Sequence, residues 1–269
     1  MKTGWGRSAS AVLWFLACAG FALAPGRALA AFHLMEIEQV IAGVDGDTSA
    51  QAIQLKMRDF NQQFVTGNAQ LVVRDATGAN PVVLSTFPAP NPVLSGSCQP
   101  ILLATSAMAA KTVPPLDATA RDFAMNPIPA AYLPAGTLTF EAVGGVVYWR
   151  LSWGGAAYTG PHNVIASPAG NSVTALASPA YAGPLPSTGG YALRFTPPCA
   201  TLSSNNAAQY GLTAGPATFT ANDSVNFAVQ GMGLPAVSTL PVWMRLALTI
   251  ALGSLALLGA RAARRRTTA

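Results

Sequence analysis

The stretch TLTFEAVGGVVYWRLSW, residues 137–153, decides how this chain folds. On each side of Gly144-Gly145 stands a run rich in β-branched and aromatic residues, and the glycine pair reads as a two-residue hairpin turn. In the second run, Val147, Trp149, Leu151 and Trp153 alternate with Val146, Tyr148, Arg150 and Ser152. Successive side chains of a strand point to opposite faces. The first set is therefore expected to be core. Tyr148 and Arg150 are left on the outer face, within reach of a ligand.

The same pattern recurs outward from this hairpin. FHLMEIEQVI (residues 32–41) and QAIQLKMR (residues 51–58) read as strands, the second with Ile53, Leu55 and Met57 on one face. AQLVVRD and PVVLSTF flank the turn-rich DATGAN. PILLAT, YALRF, ATFTA and VNFAV complete the set, while residues 159–190 are rich in loop formers. No segment shows a sustained helical period, and Pro and Gly recur throughout. The chain is therefore predicted to be all-β: an immunoglobulin-like or jelly-roll β-sandwich over residues 31–233.

Only 9% of the 269 residues are charged, against about 25% in an ordinary soluble domain. The net charge of +5 is misleading, because it belongs to the ends. Lys2, Arg7, Arg27, Arg245, Arg261, Arg264, Arg265 and Arg266 are eight of the fifteen basic residues, and the other seven face all ten acidic ones. A phosphate-binding face needs clustered Lys and Arg, so no nucleic-acid partner is expected.

Both ends read as addresses. Residues 1–30 have a basic start, a short apolar core and Ala28-Leu29-Ala30, the layout of a secretory signal peptide. Cys18 falls inside that apolar run and would leave with it. At the other end, residues 243–260 form an apolar segment near the lower length limit for a membrane-spanning helix. Arg261, Arg264, Arg265 and Arg266 form a basic tail over residues 261–269, placed in the cytoplasm by the positive-inside rule. Residues 234–242 link the ectodomain to this anchor.

The segment VSTLPVW (residues 237–243), the apolar run and the Arg-rich end together resemble a C-terminal sorting signal of the PEP-CTERM type. They are most similar to the IPTL-CTERM variety, whose signature opens Ile-Pro-Thr-Leu-x-x-Trp. Val237, Thr239, Leu240 and Trp243 match its spacing, with Ser238 in place of the proline. The resemblance implies a Gram-negative-type envelope and processing by an exosortase-like membrane transpeptidase. The early ectodomain, with HLMEIEQV, the loop VDGD and QAIQL, resembles lamin-tail-like domains of secreted bacterial proteins. That likeness implies an immunoglobulin-like sandwich with an adhesion or scaffold role.

Two cysteines remain beyond the signal peptide, Cys98 and Cys199. A lone pair in an exported domain is expected to form a disulfide. Signals for catalysis are sparse. The two histidines, His33 and His162, are far apart, no G-x-S-x-G elbow is present, and a zinc site needs three or four close ligands. No cofactor is expected. Asp45 and Asp47 in GVDGDTS are the one weak calcium candidate, although as a plain turn the segment needs no metal. LPSTG (residues 185–189) has the form that a sortase cuts, but it lies more than 50 residues ahead of the apolar segment, where a loop is the better reading.

The expectation is a non-enzymatic surface or envelope protein, anchored in the membrane at least before processing. Its work would be adhesion, matrix or scaffold contact, with an extracellular polysaccharide or matrix as partner. The alternative is a carbohydrate-binding or carbohydrate-active protein.

Overall fold

The structure, a computed structural model, describes residues 32–90, 93–161, 180–199 and 207–231. Thirteen strands occur among them. The first five are β1 (Met35–Ile41), β2 (Ala52–Met57), β3 (Ala69–Arg74), β4 (Val82–Ser85) and β5 (Pro100–Ala104). Then come β6 (Thr112–Val113), β7 (Phe123–Ala124), β8 (Gly136–Ala142) and β9 (Val147–Trp153). The last are β10 (Leu193–Phe195), β11 (Tyr210–Leu212), β12 (Thr218–Thr220) and β13 (Asn226–Val229). Among the described residues, helix is confined to short 3-10 segments, and none of these is long and apolar enough to cross a membrane. The expected signal peptide and C-terminal anchor lie outside the described residues.

The strands form three sheets among the described residues: a central one ordered β11-β10-β1-β2-β5-β7, a four-stranded one ordered β4-β3-β8-β9, and a small one ordered β12-β13-β6. The central and four-stranded sheets face each other across the main core. Ile37, Ile53, Leu55, Ile101, Leu103 and Leu193 come from one side; Leu71, Leu138, Phe140, Trp149, Leu151 and Trp153 come from the other. This is the predicted β-sandwich.

The small sheet adds a layer that alternation alone does not reveal. Phe219, Phe227 and Val229 pack on Ile41, Ala52, Leu102 and Ala104, the residues of β1, β2 and β5 that point away from the main core. That is why PILLAT reads as a continuous apolar run: β5 is covered on both faces, and a doubly covered strand gains from apolar residues at every position. β6, β7 and β11 span two or three residues each, too few to show a period in sequence.

Local turn chemistry sets the hairpins. Val44 and Asp47 exchange backbone hydrogen bonds (3.2 and 3.0 Å), and Asp45 (φ 54°) and Gly46 (φ 84°) both take positive φ. That is the two-residue turn whose twist matches paired strands. In DATGAN the Asp75 carboxylate accepts from the Thr77 amide and hydroxyl and from the Asn80 side chain (2.8, 2.7 and 2.6 Å). These bonds, the Thr77 hydroxyl first, hold the Asp75 carboxyl down at about 2.

The decisive hairpin differs from its reading by one residue. Gly145 N–H donates to Ala142 O (2.8 Å), Ala142 N–H donates to Val146 O (2.8 Å), and only Gly145 of the pair takes positive φ (87°). The loop is thus Val143-Gly144-Gly145, a turn closed by a left-handed glycine. The register then shifts: Phe140 faces Trp149 while Glu141 faces Val147, so Tyr148 is an extra residue. Such a bulge resets the alternation. Tyr148 turns into the main core, edge-on to Phe32 (5.6 Å), and is not on the outer face. Val147, expected in that core, is buried outside it.

Candidate functional site

A second bulge builds the site. In β1, Ile37 pairs with Leu55 and Gln39 with Gln54, leaving Glu38 as the extra residue. Two successive side chains, Glu38 and Gln39, therefore face the side of the central sheet that carries the small sheet. Gln54 and Lys56 of β2 and Arg194 of β10 share that face, in the stretch the small sheet leaves open.

The Glu38 carboxylate is the hub. It accepts from Gln54 Nε2 (2.6 Å), from Lys56 Nζ and from an Arg194 guanidinium nitrogen (3.4 Å). Only 4% of the Glu38 side chain is exposed, against 55% for Arg194. A buried carboxylate is tolerable here because cations and an amide meet it. The two glutamines also secure the facing edge strand. Gln39 Nε2 donates to Thr218 O (3.1 Å), and Thr220 N–H donates to Gln54 Oε1 (2.6 Å).

Two adjoining clefts of about 380 and 340 Å³ open over this cluster and share Glu38, Lys56 and Arg194. One runs toward Thr218 and Thr220, the other along Thr196, Pro197 and Pro198. The Cys98–Cys199 disulfide stands at their junction, Cys98 lining the first and Cys199 the second. The predicted pairing is therefore present, and it braces the groove. Cys98 N–H also donates to Met57 O (2.8 Å), which fixes the wall to the end of β2.

Beside the hub, opposite Lys56 in the β1–β2 ladder, lies further buried charge. Glu36 (2% exposed) faces Arg58 at 3.8 Å, and the Arg58 guanidinium lies over the Trp149 ring, 5.5 Å from its centroid. Burial pushes the Glu36 carboxyl up to about 7, against the opposing pull of Lys56 and Arg58. Farther along β5, Asp122 accepts from Leu102 N–H (2.7 Å) and Asn222 N–H (2.9 Å). Burial raises this carboxyl to about 6.

The residues singled out in sequence fall elsewhere. Asp45 and Asp47 form the β1–β2 turn. Asp47 accepts from the Ser49 hydroxyl (2.6 Å) and amide (3.0 Å), which hold its carboxyl below the usual range, and Lys111 lies 3.6 Å away. No group of three or more metal-ligating side chains occurs among the described residues. His33 is buried beside Tyr148, ring centroids 5.9 Å apart. Arg150 keeps its outer-face position but is 8% exposed, beside Thr137, and its desolvation lowers the guanidinium pKa. LPSTG is woven into the fold: Leu185 is buried, Ala42 N–H donates to Pro186 O (2.8 Å), and Gly46 N–H donates to Ser187 O (2.9 Å). His162, Val237, Thr239, Leu240, Trp243, Arg261, Arg264, Arg265 and Arg266 lie outside the described residues.

Sequence reading missed Glu38, Lys56 and Arg194 as a unit. The available signal was their rarity: in so charge-poor a chain, a charged residue inside a strand needs a reason. Compared with known proteins, the chain matches no family model, no curated protein and no solved structure.

Proposed function

We propose that this chain is an exported envelope protein that works by binding, its ectodomain presenting the Glu38–Lys56–Arg194 groove to an extracellular polysaccharide or matrix. The groove carries the reading. It sets three charged side chains, Glu38, Lys56 and Arg194, among hydrogen-bonding neighbours on one open face, braced by a disulfide. Rigid polar grooves lose little entropy when they hold an extended polar ligand. The disulfide is consistent with an oxidising compartment, in keeping with residues 1–30 as a signal peptide. In this proposal the sandwich is immunoglobulin-like, residues 243–260 anchor it, and the segment around Val237, Thr239, Leu240 and Trp243 is the sorting signal for an exosortase-like enzyme.

The test is retention of the full chain, in mild detergent, on immobilised matrix polysaccharides. The wild type should be retained, and Thr218→Trp, which fills the groove at its rim, should pass through. A wild type that no polymer retains would overturn the proposal.

A further inference from the structure

We infer that this groove selects carboxylate-bearing polysaccharides, polymers of the uronic acid class, over neutral ones; the inference rests on the binding role proposed above. Two cations, Lys56 and Arg194, share the single carboxylate of Glu38. That carboxylate is buried and already accepts three donors. The cations are not used up in the same way, since an ammonium offers three donors and a guanidinium five. The nearby buried carboxylates do not cancel the surplus. Glu36 lies opposite Lys56 in the β1–β2 ladder and also faces Arg58 at 3.8 Å, so three cations meet the carboxylates of Glu36 and Glu38, while Asp122 holds the Leu102 and Asn222 amides. One positive charge is left over on the groove floor, on an Arg194 side chain that is 55% exposed. A guanidinium fits a carboxylate with two parallel hydrogen bonds.

The flanks suit the rest of a sugar chain. Thr220 Oγ1 donates to Asn226 Oδ1 (2.7 Å) in one cleft, and Thr196 Oγ1 donates to Gln209 O (2.8 Å) in the other. Each hydroxyl has spent its proton inside the protein and keeps lone pairs that accept from a sugar hydroxyl. Pro197 and Pro198 add a flat apolar wall. Because the two clefts open on either side of the same charged triad, a polymer can continue past its charged residue in both directions.

The experiment is calorimetric titration of the detergent-solubilised full chain with oligogalacturonate and with its methyl ester, the same chain without charge. The acid should bind about tenfold or more tightly than the ester, the scale of a charged hydrogen bond. Arg194→Gln should lose that advantage and leave ester binding unchanged, while Arg194→Lys should keep a large part of it and so exclude misfolding as the cause. Lys111→Gln, which removes a cation outside the groove beside Asp47, should bind as the wild type does. Equal binding of acid and ester would overturn the inference and leave polysaccharide binding standing. Equal losses in Lys111→Gln and Arg194→Gln would also overturn it, because diffuse charge would then be responsible. Failure of both oligomers to bind would overturn the inference, while the proposed function would stand or fall with retention on the other polymers.

Discussion

Single side chains join the two sheets of the main core at the β1 bulge. β10 pairs with β1 only at Gln39 and Val40, which leaves Ile37 O beyond the ladder. Tyr210 Oη donates to it (2.5 Å) and accepts from Trp149 Nε1 (2.8 Å), which arrives from the opposite sheet. Full burial pushes the Tyr210 hydroxyl well above its usual range, so it stays a donor. Tyr210→Phe removes both bonds inside the core and should cost about 1–3 kcal/mol in urea unfolding. Glu36 makes the opposite kind of contribution. Its folded pKa, about 7, lies above the ordinary carboxyl value of 4.5, so the protonated form is favoured in the fold. The resulting stability is present below about pH 4 and is lost as pH rises through 7. The loss is on the order of 3 kcal/mol. Glu36→Gln should flatten this slope, and its unfolding midpoint should exceed the wild type's at pH 8. Equal pH slopes in the two proteins would contradict this account.

Among elements, the β8–β9 hairpin shows how far local chemistry reaches. Its two strands and its glycine turn are legible from period-two alternation. The loop length is not, because it depends on which glycine takes positive φ. Gly145 does (87°), and Gly144 does not. A Cβ at either position meets nothing within 4 Å, so conformation alone separates them. Gly145→Ala should therefore cost about 1–2 kcal/mol, the penalty of a left-handed alanine, while Gly144→Ala should be nearly neutral. Thermal unfolding of the two variants checks this. The bulge that follows turns Tyr148 inward, and the bulge at Glu38 builds the groove. Neither has a local sequence signature, since each arises from the register that two strands settle on together.

For the whole molecule, the disulfide and the distribution of charge set the limits of stability. The Cys98–Cys199 bond joins positions 101 residues apart. Replacing both cysteines with serine should cost about 2–5 kcal/mol and release the wall of both clefts, so urea midpoint and ligand retention should fall together. Charge sets the pH range. Glu36 and Asp122, at about 7 and 6, lose their contribution as pH rises through those values. Asp75, held at about 2, and Asp47 and Asp117, also lowered, lose theirs as pH falls below about 4. The Glu36 and Asp122 losses begin just above the ordinary carboxyl values, so melting temperature should peak at about pH 4, and a maximum at pH 8 would contradict it. By itself, the sequence determined the β class, most of the strands, the Asp-Gly turn and the cysteine pair. These rest on interactions between near neighbours, or on there being two cysteines to join. Only the tertiary structure decided that a third sheet covers β5, that Tyr148 faces inward, and that positions 38, 56 and 194 meet in one groove. Those outcomes depend on pairing between distant strands, and on which face of a sheet is left open once its partners have packed.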